Sequence, residues 1–381
     1  MLVDHLVGGG AERFAVDLAC SLPPEEFERT ICVSRMPRHW RRLPVDSGVG
    51  LEVSRLERAG VSILPLHRRL HLDFWSWGPL LRKLPAVDVV HAHQFGSNCW
   101  GSALGRLTRV PVIVAHEQTW SFRGGRVRKL LDRHLVGRLA DRIVAVSELD
   151  RQRMIVIEKV PARKLLLIRN AIVPGRPSGH DVRAELGIPE RVPVLVALAM
   201  LRPQKALHVA LQALALVRER VPDAVLLIAG GPLEGNPEAD RLRAVAQQLG
   251  IGSAVRMLGR RDDVPDVLAA ADVGVLSSSY EGTPLAVLEY MEAGLPVVST
   301  AVGGVGEFVE DGVHGILVSP DDPEALAGAL SRLVLEPATR ERMGEAARER
   351  RRSEFDYDAT LRRFRDLYAE LLGGSGRPRR A

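Results

Sequence analysis

Cysteine is scarce in this 381-residue chain: Cys20, Cys32 and Cys99 are its three, too few and too scattered for a disulfide framework or a cysteine zinc site. That scarcity predicts a reducing, cytoplasmic setting. No uninterrupted apolar run reaches the length needed to cross a bilayer. The opening residues MLVDHLVGGGAERF lack the basic start and apolar core of a secretory signal. They begin abruptly, with half a strand running straight into a Gly-rich turn, so a few residues of a first strand are expected upstream. Also missing are a G-x-G-x-x-G dinucleotide fingerprint and any recognisable nucleic-acid-binding motif, so no nucleic-acid partner is expected.

What is present is an ordinary globular balance, 46% hydrophobic and 26% charged, in a chain long enough for two domains. The net charge of +5 conceals an asymmetry. Residues 1–174 carry 27 Lys and Arg against 17 Asp and Glu, whereas residues 175–381 carry 25 against 30. A basic first half suits an anionic partner such as a membrane surface. Arginine scattered without a partner is the alternative.

Strand-like apolar runs alternate with helical patterns, which predicts parallel sheets covered by helices on both faces. In the first half the strands are expected at 30–34, 61–66, 87–92, 110–115 and 142–146. In the second half they are expected at 193–199, 224–229, 255–258, 273–276, 296–299 and 315–318. Helices are expected at 209–220, 237–249, 284–293, 323–335 and 358–372, the last with Leu361, Phe364, Leu367, Tyr368 and Leu371 on one side. The Pro- and Gly-rich stretch 171–179 reads as a linker. The tail 373–381 is small and basic.

Most of the chemistry is concentrated in Tyr280-Glu281-Gly282-Thr283-Pro284-Leu285-Ala286-Val287-Leu288-Glu289. Thr283 is a good N-cap and Pro284 a good first helical residue. The amides of Leu285 and Ala286 then point out of the helix start, where an anion binds. Glu281 falls just before the helix and Glu289 about a turn and a half inside it. One element thus offers a carboxylate, an anion cradle and a second carboxylate to one ligand.

With the downstream Tyr290-Met291-Glu292-Ala293-Gly294-Leu295-Pro296-Val297-Val298 and Gly303-Gly304-Val305-Gly306-Glu307, this E-x7-E element resembles that of the retaining glycosyltransferases of family 4 (group 1). The resemblance covers almost the whole chain. It implies an α/β GT-B fold, two Rossmann-like doubly wound domains facing across a cleft. Residues 1–174 would be the acceptor-binding domain and 175–355 the nucleotide-sugar-binding domain. Residues 356–372 would be a helix packing back toward the first domain, ahead of the tail. By the same resemblance Glu281 contacts the donor sugar and Glu289 the ribose. The backbone at Gly282, Thr283, Leu285 and Ala286 meets the diphosphate or the sugar, while Pro284 has no amide to give.

Three further stretches extend the resemblance. Ala199-Met200-Leu201-Arg202-Pro203-Gln204-Lys205-Ala206 matches the family's G-R-L-x-x-x-K-G loop, whose Arg and Lys clamp the leaving diphosphate. Lys205 is in place, Met200 replaces the Arg, and Ala199 and Ala206 replace the glycines. Arg202 either substitutes for the missing cation or faces water. Gly8-Gly9-Gly10-Ala11-Glu12-Arg13 resembles the family's glycine loop, with Gly10 nearest the donor phosphate and the acceptor. Asp88-Val89-Val90-His91-Ala92-His93 and the strand ending in His116 resemble the family's histidine-bearing strands, and His116 is the candidate for contacting the sugar or assisting the acceptor. His91 and His93 share a strand face, but no Asp, Glu or Cys at metal spacing completes a site with them, so no metal or other cofactor is expected. Softer matches are 228–232, 258–264, whose Arg260 lies in the base-holding loop, and Arg169-Asn170-Ala171-Ile172.

The implied activity is transfer of a hexose-type sugar with retention, from a UDP-sugar first or GDP-mannose next, to a glycan, lipid-linked or small-molecule acceptor. A non-catalytic nucleotide-sugar-binding protein, or a phosphorylase or epimerase on the same fold, are the alternatives. The basic stretch 123–138 and the segment His67–Trp77 suggest attachment to an anionic inner membrane face, against a solvated face as the alternative.

Overall fold

The structure, a computed structural model, describes residues 1–7, 9–44, 47–70, 73–118 and 125–374. It forms two compact units, Met1–Ala171 with the segment from Tyr357 onward, and Ile172–Asp356. No helix of the described residues is long and apolar enough to cross a membrane.

The first unit holds seven strands: β1 (Leu2–Val3), β2 (Thr30–Val33), β3 (Ser62–Pro65), β4 (Val89–His93), β5 (Val112–Glu117), β6 (Arg142–Ala145) and β7 (Leu165–Leu167). All pair in parallel in the order β3-β2-β1-β4-β5-β6-β7. Central β5 reads Val-Ile-Val-Ala-His-Glu and is buried along its whole length, as expected of a strand covered on both faces. The final helix, Tyr357–Gly374, belongs to this unit and buries Tyr357, Thr360, Phe364, Leu367 and Tyr368. Leu361 and Leu371, expected on the same stripe, are only partly covered.

The second unit holds β8 (Val194–Leu198), β9 (Val225–Ala229), β10 (Val255–Gly259), β11 (Val273–Leu276), β12 (Val297–Thr300) and β13 (Gly315–Val318). Their order is β10-β9-β8-β11-β12-β13, again all parallel. The apolar faces of Leu207–Arg220 and Pro323–Leu335 join β8, β9 and β11 in one core. In both sheets the chain reverses its winding direction beside the first strand, at β1/β4 and at β8/β11. In doubly wound sheets ligands collect at the carboxyl ends of the strands flanking that reversal.

The stretch read as a linker is fastened to the second unit. Asp266 accepts hydrogen bonds from Ser178 Oγ at 3.1 Å and from the amides of Gly179 and His180 at 3.0 and 3.1 Å. Short β7 and the charged helix Pro337–Glu354 escaped the sequence reading.

Candidate functional site

At the β8/β11 reversal, two loops leave the carboxyl ends of neighbouring strands and are laced together. The loop after β8 carries a 3-10 turn, Pro203–Lys205, and the loop after β11 carries Glu281. Ser279 donates its amide to the Gln204 carbonyl at 2.9 Å. Gln204 Nε2 donates to the Tyr280 carbonyl at 2.8 Å, and Ser277 Oγ to the Lys205 carbonyl at 2.9 Å. Lys205 Nζ then meets Glu281 Oε1 at 2.5 Å, and Ser278 Oγ donates to the same oxygen at 2.6 Å. The Lys205 and Glu281 side chains are 19% and 7% exposed, so the pair is largely shielded from water. Such a charge-assisted contact is stronger than one in open solvent.

Behind Glu281 lies Gly303, at φ +54°, where a Cβ would sit 1.7 Å from the Glu281 carbonyl oxygen. Only glycine combines that left-handed backbone with so close an approach. The next amide, of Gly304, donates to the Gly282 carbonyl at 3.1 Å. The Gly303-Gly304 turn thus backs the Glu281 loop.

The helix begins one residue later than expected, at Leu285, and runs to Ala293. Pro284 occupies the N-cap position with an extended backbone (φ −75°, ψ 105°), so Thr283 is not the N-cap. The Pro284 carbonyl closes the first turn by accepting from the Val287 amide at 3.0 Å. The first helical amides are still those of Leu285 and Ala286, which lack an intrahelical acceptor. Glu289, the fifth helical residue, is buried at 9% exposure. Gly282 is also buried, while Thr283 and Ala286 are partly covered.

Arg202, for which two placements were open, is exposed. Arg260 lies half-buried in the loop after β10, 3.5 Å from Asp262. Its neighbour Arg261 grips Glu185 with two hydrogen bonds of 2.7 and 2.8 Å, which hold the Glu185 carboxyl down at about 2.

Two candidates lie in the first unit. Gly10 opens the helix Gly10–Ser21 behind an extended Gly9, while Gly8 lies outside the described residues. Glu12, one turn into the helix region, accepts from Gln94 Nε2 at 3.1 Å. His116 is fully buried, and neither ring nitrogen has a hydrogen-bond partner. It packs edge-on to Phe14 at 5.5 Å and against Phe364 of the last helix, also at 5.5 Å. His91 and His93 complete a stack with His116 at centroid distances of 4.3 to 5.3 Å. Tyr368 fixes His91 through a 2.6 Å contact from its hydroxyl to Nδ1. Burial, helped by mutual repulsion at His91 and His93, pushes all three imidazoles below their usual range, His116 to about 3. The potential ligand atoms of the three all lie within 4.8 Å of one another. As they stand, the rings form a packed layer.

Over residues 180–350 the chain matches the family described as glycosyl transferases group 1, and over residues 8–176 the one described as glycosyltransferase family 4. It is 31% identical over 310 residues to the D-inositol 3-phosphate glycosyltransferase of Corynebacterium glutamicum, covering 76% of this chain and 74% of that relative. The chain belongs to the group 1, family 4 glycosyltransferases. A second relative of this glycosyltransferase is the lipopolysaccharide core biosynthesis glycosyltransferase LpsE of Rhizobium meliloti, 29% identical with 96% of each chain covered. Its fold is similar to that of Anabaena HepE, crystallised with UDP-glucose (TM-score 0.84, 21% identity, 97% and 98% of the two chains). It is also similar to sucrose-phosphate synthase of Thermosynechococcus elongatus (TM-score 0.79, 20% identity, 98% and 96%). Fold and family together make this a two-domain α/β GT-B glycosyltransferase.

Some groups of this glycosyltransferase differ from the sequence reading or were missed by it. Arg128, read as part of a cationic face, turns inward to Glu117 at 3.2 Å and Asp132 at 3.5 Å. Burial, then the charges of Glu117 and Glu158, push the Asp132 carboxyl up to about 8. Arg68, read as a membrane-facing cation, is buried against Asp4 at 3.0 Å and over the Trp77 ring, itself 1% exposed. Arg123 and His71 fall outside the described residues. Tyr290 was quoted only as part of a motif, and no spacing signal marks its hydroxyl.

Proposed function

We propose that this glycosyltransferase moves a hexose-type sugar from a nucleotide-sugar donor, UDP-linked first and GDP-mannose next, to a glycan, lipid-linked or small-molecule acceptor, with retention at the anomeric carbon. The observation that carries the reading is the shielded Lys205–Glu281 pair at the β8/β11 reversal, beside the first amides of Leu285–Ala293. A cation, helix-start amides and two carboxylates match the parts of a nucleotide sugar: diphosphate, sugar hydroxyls and ribose. The relatives agree with this class, since HepE was crystallised with UDP-glucose and LpsE is named for lipopolysaccharide core synthesis.

In this mechanism the second unit takes the donor and the first the acceptor. The diphosphate lies on Lys205, on the amides of Leu285 and Ala286 and on the backbone of Gly282 and Thr283, with Arg202 free to swing toward it. Glu289 holds the ribose and Arg260 borders the base. Glu281 orients the sugar and keeps Lys205 in place. As the anomeric C–O bond breaks, charge grows on the diphosphate, and the fixed Lys205 ammonium stabilises it. The acceptor oxygen attacks from the same face, and its proton passes to the departing phosphate oxygen. No metal or other cofactor enters these steps.

A thermal-shift screen over nucleoside diphosphates and nucleotide sugars tests the reading, because a ligand bound to the native state raises Tm. UDP and a UDP-sugar are expected to raise it most. No shift with any nucleotide at millimolar concentration overturns the proposal.

For the first unit we propose docking on an anionic lipid surface on the cytoplasmic side. Trp75 is 94% exposed, with Phe74 and Leu70 also exposed, and Arg126, Lys129, Arg133 and Arg138 are exposed cations. Aromatic anchors with basic residues suit a headgroup interface. Flotation with anionic liposomes at low salt checks this: wild type should float and Trp75→Ala much less, whereas a wild type that stays at the bottom ends the idea.

A further inference from the structure

The β8/β11 reversal is bridged by a side chain. The two strands pair only at Val273↔Leu195 and Gly274↔Val196. Beyond that point the Tyr290 hydroxyl accepts from the Leu198 amide at 2.7 Å and donates to the Val275 carbonyl at 3.1 Å. It thus replaces the ladder where the strands separate. The ring is fully buried, and burial raises the phenol far above its ordinary range, so the hydroxyl keeps the proton it donates. Gly274 makes the room, since a Cβ there would lie 2.4 Å from Tyr290 Cγ.

We propose that Tyr290 is a positioning residue of the donor site, whose hydroxyl sets the gap between β8 and β11 and so fixes Lys205 against the diphosphate. This rests on the donor-site reading above. Leu198 leads directly into the loop ending at Lys205, and Val275 into the loop ending at Glu281. The hydrogen bonds of Ser277, Ser279 and Gln204 make the two loops one body. A change in the gap at Leu198 and Val275 therefore moves the Lys205 ammonium, and a displacement near 1 Å already weakens an aligned electrostatic contact severely.

The test is Tyr290→Phe, which keeps the ring and removes both bonds. Its affinities for UDP against UMP, and for GDP against GMP, are measured by calorimetry well below Tm. On the donor-site reading, the wild type is expected to bind the diphosphate more tightly than the monophosphate because the second phosphate reaches Lys205. That preference is expected to fall at least fivefold in Tyr290→Phe, and to be lost in Lys205→Ala. Adding Tyr290→Phe to Lys205→Ala should change it no further, because a residue that acts through Lys205 has nothing left to act on. A tyrosine that merely supports the fold lowers Tm and leaves the preference of the folded protein unchanged; that result overturns the inference. Should Tyr290→Phe not fold, Gly274→Ala displaces the ring without deleting the hydroxyl, and the same two outcomes decide. Wild type that binds neither nucleotide pair defeats the donor-site reading and this inference with it. Binding with an unchanged preference in the variant defeats this inference alone.

Discussion

Two sheets of like topology end differently at their reversal points. At β8/β11 polar side chains converge in a largely shielded setting: Lys205 on Glu281, and Ser278 on the same carboxylate. On β4 and β5, beside the other reversal, the polar side chains His91, His93 and His116 are packed with Phe14 and the last helix, with Nε2 of all three and Nδ1 of His116 left unpartnered. The same winding therefore ends in a laced pair of charged loops in one unit and in a buried aromatic layer in the other. What decides is the element that covers the strand ends. In the second unit that element is a helix start with free amides, and in the first it is the aromatic face of Tyr357–Gly374.

The contrast can be broken from either side. The largest effect is expected at the charged pair. Lys205→Ala should lower turnover about 10²- to 10³-fold, and Glu281→Ala severely, with circular dichroism unchanged. Gly303→Ala comes next. It forces a side chain into left-handed backbone and onto the Glu281 carbonyl, so chemical denaturation should show a loss of about 2 kcal/mol or more.

The histidine layer gives a pH signature of the opposite kind. Because His116 titrates near 3 in the folded protein, its stabilising contribution is complete above its ordinary value of 6.5 and is lost as pH falls toward 3. Asp132, held up to about 8, works against this slope below that pH, so the comparison must be made between variants. His116→Leu should therefore lose less stability than wild type on acidification, the difference growing by up to about 1.4 kcal/mol per pH unit between roughly 6 and 3. Denaturant midpoints measured across that range check it, and equal slopes would return the imidazole to an exposed, titrating position.

The smallest effect is at Ala206. It stands where the family has glycine, yet its backbone is left-handed at φ +44°. Ala206→Gly should stabilise the protein by about 1 kcal/mol, seen as a raised Tm.

The contrast also explains what was legible in the sequence. Glu281, Glu289 and the helix start lie within ten residues, and local rules of capping and spacing suffice to place them, apart from the one-residue shift at Pro284. The alternation of strands and helices likewise gave both sheets, because buried parallel strands such as Val225–Ala229 are continuous apolar runs. The burial of His116 was not legible because it is set by Phe364, some 250 residues later in the chain, and no periodicity in its own strand reports that. Arg68 is hidden for the same reason, since its partner Asp4 lies 64 residues earlier, whereas Arg128 pairs nearer by, with Asp132 four residues on and Glu117 before it. Tyr290 shows the converse, a side chain in a legible motif whose partners, Leu198 and Val275, appear only once the strands are assembled.

The central claim is that the donor is held at the β8/β11 reversal. Amide hydrogen exchange with and without UDP-glucose tests it most directly. The account predicts new protection in residues 199–206 and 277–289, weakened in Lys205→Ala. Bound donor that leaves both stretches unprotected, or protects only residues of the first unit, would contradict it.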